Sequence, residues 1–482
     1  MMDYADFLKN QDSRAGGYYA LSDLIWEKAE ICYTEVESAR ILEDWFSKEG
    51  FSVTPGVYGI PTAFTAQYGS GSPRIGLLGE FDALSSMTQE ADVFEKKPGA
   101  QVNGHGCGHN LLGVGSLVAA GAVKEFLAQT GKPGTVIYYG CPAEENGSGK
   151  AFMARAGAFK DLDAALTWHP GTLNRIATES SLANILVKFY FHGISSHAAG
   201  SPELGRSALD AVELMNVGTN YLREHMIDEA RIHYAVTNTG GVSPNVVQAE
   251  ASVVYMIRAP EMAQVQELYQ RVIRIAEGAA LMTGTAADHR IIKTCSNFLS
   301  NRVLEELLQE SFEALPLPDI NAADREYAAR FSATCPQAPS LILKSIADKY
   351  PSRSGGIFLK NHLEDTFYNF IVPYDKDRLD KSGKGSTDVG DVSWLCPTAQ
   401  FSAATWAAGT PGHSWQVVAQ GKGRIAHAMT LYAGKILARA AMRLFSEEAL
   451  RAAAREEFTE QMRGRCYFPV PAEAKPEAIT AL

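Results

Sequence analysis

Apolar positions recur every three or four residues through LSDLIWEKAE and SARILEDWFSK, so residues 20–50 read as helical. Short runs of β-forming residues follow: TAFTAQY, then RIGLLGEFDAL after a Gly/Ser/Pro turn. A loop rich in Gly and His, GHGCGHN, leads into a helix of small and apolar residues. GTVIYYGCP is almost continuously apolar, as in a strand buried on both faces. A helix around KAFMARAG and another buried strand, DAALTWHP, complete the alternation. Strand–helix–strand order of this kind predicts an α/β domain with a mixed, mostly parallel central sheet and flanking helices.

The periodicity then changes. ANILVKFYFHG (183–193) alternates apolar and polar residues, and ALDAVELMNVGTNYLREH is an amphipathic helix. Strands are expected at 232–238 and 246–258 around a Gly-rich turn, a helix over about 262–282, and a last strand at HRIIKTC. This β-α-β-β-α-β order is that of a ferredoxin-like α+β unit. It divides the chain into 1–182, an inserted domain at 183–297, and 298–482. Within the last segment, 316–385 is the least regular stretch and reads as an insertion or loop. Helices are expected near 424–445 and 447–463, before a Pro-containing tail.

Composition narrows the function classes. The 482 residues are 46% hydrophobic, enough for a full core and for two domains or more. A net charge of −11 argues against nucleic acid or an anionic membrane as the main partner. MMDYADFLKNQDSR has no apolar h-region, and LLGVGSLVAAGAVKEFL reads as too short and too interrupted by Gly to span a bilayer. The seven cysteines have no regular spacing, so reduced thiols in a cytoplasmic setting are expected.

Ligand-type residues gather at strand ends and in the loops that follow them, where open α/β sheets place their sites. In His105-Gly106-Cys107-Gly108-His109, the glycines let side chains two apart converge, and thiolate and imidazole suit zinc-like metals. The same run could also be a relaxed loop with incidental histidines. Glu144 and Glu145 follow a buried strand, and adjacent carboxylates there are costly to desolvate unless a cation compensates. Their alternative is a helix N-terminus, whose dipole favours acids. His169 ends the next apolar strand, and His413 sits in a later turn, GTPGHSW. Each is weak alone. Together, Cys107, His109, Glu145, His169 and His413 are donors enough for two ions sharing a bridge.

GHGCGHN, the Glu-Glu-x-Gly-Ser-Gly run, Trp-His-Pro and the late Gly-x-x-x-His turn resemble the M20 metallopeptidases, from about 20 to 445 and in the family's order. More narrowly they resemble its amidohydrolase branch, subfamily D, which includes aminoacylases, hippurate hydrolases and auxin–amino-acid hydrolases. The phrases NGHGCGHNLLG, GRSALDAV, SPNVVQAEA and STDVGDVSW lie nearest to branch members acting on aroyl-glutamates.

The resemblance implies a zinc-aminopeptidase-like catalytic domain with an inserted lid or dimerisation domain. It implies that Cys107, His109, Glu145, His169 and His413 bind two divalent ions, zinc or manganese, with Glu144 as general base and acid. Asp82 matches an Asp-x-Asp-Ala-Leu segment, where it would orient a ligand imidazole, although Glu80 here replaces the usual first Asp. His197 would reach the partner subunit's site and polarise the scissile carbonyl, while Asn245 and Arg258 would hold the substrate. The implied reaction is hydrolysis of an N-acyl amino acid such as p-aminobenzoyl-glutamate, a folate breakdown product, with indole-3-acetyl-aspartate the nearest rival. The implied assembly is a homodimer or a pairing with a homologous A subunit. His105, His192, His225, His233, His289, His362 and His427 are left as surface or core residues.

Two other classes compete. A Cys107 nucleophile with His109 or His105 as base would leave the Glu144–Glu145 pair unexplained. A non-catalytic companion chain would be free to lose donors that are all present here.

Overall fold

The computed structural model describes residues 4–335, 338–348, 350–375 and 383–477. In chain order the first strands are β1 (Ser52–Pro55), β2 (Phe64–Ser70), β3 (Arg74–Glu80), β4 (Gly134–Cys141), β5 (Ala164–Gly171) and β6 (Arg175–Ile176). A second sheet follows with β7 (Ala183–His192), β8 (Arg231–Asn238), β9 (Glu250–Ala259) and β10 (Ala286–Cys295), and β11 (Thr398–Ala404) returns to the first. The first sheet has the order β1-β2-β4-β3-β5-β11-β6. Its four central strands, β4-β3-β5-β11, run parallel, and the outer ones pair antiparallel. The expected mixed α/β class is therefore observed. The parallel run matters most for function, because it brings four strand C-termini to one edge.

The nearly unbroken apolar run of β4 is explained by burial of every residue in it. The His109–Thr130 helix covers this sheet closely because small residues line its contact. A Cβ at Gly115 would lie 2.6 Å from the Trp168 ring. The polar groups at the contact are paired: Ser116 Oγ donates to the Leu78 carbonyl at 2.6 Å, and Trp168 Nε1 donates to the Leu112 carbonyl at 3.0 Å. The Arg424–Ser446 helix packs against the same helix. At 22 residues, His109–Thr130 is long and apolar enough to cross a membrane, which corrects the length argument made from the sequence. What marks it as a core helix is its burial within the fold. Leu117 is fully buried there, so Leu117→Ala is expected to cost about 2–5 kcal/mol by chemical denaturation.

The stretch expected to be irregular contains the helices Ala322–Ala333, Ala338–Asp348 and Arg353–Lys360; residues 336–337, 349 and 376–382 of it lie outside the described residues. The first of these starts from a capping box in which the Asn321 and Asp324 side chains each accept the other's backbone N–H. Leu343, Ala347 and Leu359 bury with Leu173, Tyr368 and Phe370 in a small separate core. Pro339, Gly355 and Gly356 fall inside these helices and Pro336 and Pro351 between them, which hid them from a periodicity reading.

The described residues within 180–298, 383–391 and 467–477 form one compact unit and the others a second. In the smaller unit the sheet order is β10-β7-β9-β8, antiparallel throughout. Ala251, Val253, Tyr255 and Ile257 of β9 bury in one core with residues of the Ala208–Leu222 and Met262–Thr283 helices. β9 begins at Glu250 rather than 246 because 245–247 pair elsewhere. Ala198 N–H donates to the Asn245 carbonyl at 3.0 Å, and Val247 N–H donates to that of Ser196 at 3.0 Å.

Asp391 is buried in this unit, where it accepts from Ser296 N–H and Oγ at 3.1 and 3.0 Å and from the Tyr467 hydroxyl at 2.9 Å. Burial outweighs these donors and pushes its carboxyl up to about 7. A carboxyl raised on folding contributes stability that is full below its unfolded value, near 3.8, and is lost as pH rises through about 7. Thermal unfolding followed between pH 4 and pH 8 should therefore show a decline that Asp391→Asn flattens.

Candidate active site

The site is assembled at the C-terminal edge of the parallel strands. β3 ends on Glu80 and is followed by Asp82; β4 ends just before Glu144 and Glu145; β5 carries His169; and the loop after β11 carries His413. Cys107 and His109 come from the loop after β3, with His109 opening the His109–Thr130 helix. Gly108 precedes it at φ +75°, and a Cβ there would lie 2.9 Å from the Trp406 ring. Only glycine fits this turn. His413 N–H donates to the Gly106 carbonyl at 2.9 Å, which ties the late turn to the early loop.

Donor atoms converge in three overlapping sets, each within 4.8 Å: Cys107, His109 and His169; Cys107, Glu145 and His413; and Glu80, His109 and Glu144. Cys107 belongs to two of them. Its Sγ lies 3.3 Å from His169 Nε2. Glu145 Oε2 lies 3.4 Å from His413 Nε2, and Glu145 Oε1 lies 3.9 Å from His109 Nε2.

The tautomers suit ligation. Asp82 Oδ1 accepts from His109 Nδ1–H at 2.8 Å, and the Pro170 carbonyl accepts from His169 Nδ1–H at 2.6 Å. Both Nε2 atoms are thereby aimed at the donor cluster. His109 Nε2 and Glu145 Oε1 are buried and make no hydrogen bond. Buried polar atoms without partners are costly, and a divalent cation beside them removes the cost. The donor set of sulfur, imidazole and carboxylate fits such an ion.

Charge in the pocket is finely opposed. Burial lowers the His169 imidazole to about 4, with His109 adding to the effect. Burial works the same way on His109, but the Asp82 carboxylate and then Cys107 hold that imidazole well above its usual range. Burial pushes the Glu145 carboxyl up, against the pull of His109. Burial would also raise Glu80, yet the Lys150 ammonium and His109 keep it below the ordinary carboxylate value.

Several residues that the motifs did not reveal support this arrangement. Lys150 Nζ lies 2.6 Å from Glu80 Oε1, both side chains being essentially inaccessible, and Glu80 Oε2 lies 3.3 Å from His109 Nε2. The turn bearing Glu144 is held from below. Ala143, at φ +60°, donates its N–H to buried Glu35 at 3.0 Å; Glu145 N–H donates to Asp82 Oδ2 at 2.9 Å; the Tyr33 hydroxyl donates to the Gly147 carbonyl at 2.8 Å. Asp82 thus orients both the His109 ring and the backbone of Glu145. A lone Lys or Glu carries no motif, so only contact could have found Lys150 and Glu35. His105, expected to be structural, is buried with its Nε2 on the Ile25 carbonyl at 3.1 Å.

His197, Asn245 and Arg258 all belong to the smaller unit. His197 is exposed, and its Nδ1 accepts from the N–H groups of Ala199 and Gly200 at 3.2 and 3.0 Å. With Nδ1 accepting, Nε2 is the ring nitrogen left to donate. Asn245 adjoins it through the bond from Ala198 described above. Arg258 is half-buried, and its Nε makes no hydrogen bond.

An open α/β sheet that gathers sulfur, imidazole and carboxylate donors at its strand ends, with a further carboxylate beside them, is the arrangement of a metal-dependent amide hydrolase. Residues 76–318 match the model of peptidase family M20/M25/M40. The chain is 45% identical over 466 residues, 96% of either chain, to the B subunit of p-aminobenzoyl-glutamate hydrolase from Escherichia coli K12. It is 33% identical to the Xaa-Arg dipeptidase of Homo sapiens over 58% of this chain and 63% of that one. Among solved structures, the aminobenzoyl-glutamate utilization protein of Klebsiella pneumoniae superposes with a TM-score of 0.59 at 16% identity, covering 92% of this chain and 98% of that one. The chain belongs to the M20/M25/M40 peptidase family.

Proposed function

We propose that this protein hydrolyses p-aminobenzoyl-glutamate to p-aminobenzoate and glutamate, with Cys107, His109, Glu145, His169 and His413 holding two divalent ions, zinc or manganese. The observation that carries the reading is the pair of overlapping donor sets sharing Cys107, with Glu144 at their margin. The substrate rests on the similarity to the p-aminobenzoyl-glutamate hydrolase chain from Escherichia coli.

When bound, such ions polarise the amide carbonyl and acidify the attacking water. Glu144 takes the proton from that water and later delivers it to the amine nitrogen of the departing glutamate. Asp82 keeps the His109 ring and the Glu145 backbone in register throughout. His197 of a second protomer donates Nε2–H to the oxygen that gains charge as water adds. Arg258 and Asn245 hold the free α-carboxylate of the leaving amino acid, a group that a guanidinium fork binds through both oxygens.

The second protomer is another copy of this chain or a homologous A subunit; the latter is favoured because the Escherichia coli relative is itself named as one of two kinds of chain, A and B. The irregular spacing of the seven cysteines accords with a cytoplasmic, reducing setting.

The test is an assay of the purified protein on p-aminobenzoyl-glutamate and indole-3-acetyl-aspartate, with Zn²⁺, with Mn²⁺ and after chelation. Metal-dependent release of p-aminobenzoate, with slower turnover of the indole substrate, is expected. Cleavage that survives chelation would turn the reading towards a Cys107 nucleophile. Absence of turnover by the metal-loaded chain, restored only by an A subunit, would make it a non-catalytic companion.

A further inference from the structure

Two strands of the smaller unit oppose like charges. Arg231 on β8 is the direct partner of Arg258 on β9 in the antiparallel register. Opposite residues in such a pair have Cβ atoms about 4.5–5.5 Å apart, and like charges at that spacing destabilise a sheet. Neither guanidinium forms an ion pair among the described residues. Arg258 leaves its Nε without a partner. Arg231 commits one terminal nitrogen to the carbonyls of Asp228 and Ala230, the latter at 2.6 Å, and keeps the rest of its fork exposed.

Further positive charge adjoins the pair. His233 lies two residues along β8 from Arg231, hence on the same face of the sheet. Burial and then Arg258, Arg223 and Arg231 press its imidazole below the usual range, which places all three guanidiniums within its electrostatic reach. The face is the one away from the helices, since Ala251, Val253, Tyr255 and Ile257 occupy the packed side of β9. An uncompensated cluster of this kind fits an anionic ligand. One carboxylate neutralises one guanidinium; a ligand with two carboxylates neutralises the pair.

We infer that Arg231 is a specificity-determining residue: Arg258 takes the α-carboxylate of the leaving amino acid and Arg231 takes its side-chain carboxylate. The inference rests on the proposed hydrolase reading and extends it, assigning the enzyme to substrates with a dicarboxylic leaving group. An uncharged side chain of the same shape would leave Arg231 unsatisfied.

The test compares p-aminobenzoyl-glutamate with p-aminobenzoyl-glutamine in the wild type, Arg231→Gln and Arg231→Lys. Calorimetric binding of free glutamate is measured alongside. The wild type should prefer the glutamate compound by about 10- to 100-fold in kcat/KM, and Arg231→Gln should collapse that ratio mainly through KM. Arg231→Lys should retain part of it. Glutamate affinity should fall about tenfold or more in Arg231→Gln. Removing one of two opposed like charges should leave the thermal midpoint at or above that of the wild type. An unchanged substrate ratio in Arg231→Gln, or equal loss on both substrates, would overturn the inference while leaving the hydrolase intact. A wild type that cleaves neither substrate, yet binds glutamate through Arg231, would overturn the hydrolase reading and leave the dicarboxylate site standing.

Discussion

Glu144→Ala is expected to lower kcat for p-aminobenzoyl-glutamate by about 10²–10⁴-fold, while metal content and thermal midpoint stay close to those of the wild type. The upper end is favoured because the same carboxylate serves twice, first as base and then as acid. Removing it therefore raises both barriers. Glu144 is half-buried beside His109 and Glu80, yet it belongs to neither donor set built on Cys107. Metal analysis of the variant decides the point: a loss of activity that follows a loss of metal would make Glu144 a ligand instead of a base. Glu144→Asp, with a shorter reach, should recover only part of the rate.

His109→Ala should have the second large effect, with a different signature. The variant loses an imidazole whose Nε2 faces Glu145, and it strands Asp82, which is wholly buried and accepts from that ring. Metal bound per chain should fall, activity should fall with it, and the metal-free protein should itself be less stable. Breaking a buried charge pair costs about 3–5 kcal/mol, read here as a lower denaturant midpoint. Asp82→Asn separates the two contributions. It keeps the imidazole but loses the acceptor that orients it, which should weaken metal binding by about 10–100-fold. Wild-type metal affinity in Asp82→Asn would show that His109 needs no orienting partner.

The strands and helices that carry the site were legible because each obeys a local rule. β4 is apolar along its whole length, so a doubly covered strand was the natural reading, and the acids immediately after it stood out. The Gly-His-Cys run advertised itself by composition, and the ββ turn of the smaller unit by its glycines. Even so, the start of β9 was misplaced by four residues. Val246 looks like strand, but it pairs with His197 in an isolated bridge, a contact no local pattern announces. The helices Ala338–Asp348 and Arg353–Lys360 were missed because their apolar faces are short and packed on a small local core, whereas Ala322–Ala333 buries only Ala328 and Phe331 in the main one.

Donor identity, strand-end position and chain order were thus set by the sequence alone, since ligand chemistry belongs to residue type and strand ends follow hydrophobic runs. Which donors come together was decided by tertiary structure. Cys107 meets His169 on one side and Glu145 on the other only because β3, β4 and β5 are neighbours in a sheet whose spatial order differs from chain order. The same holds for Lys150 on Glu80, Glu35 beneath Ala143 and Arg231 opposite Arg258. Each is a single polar residue whose meaning comes from a partner distant in sequence, and burial or strand register, which arise only on folding, gives it a role.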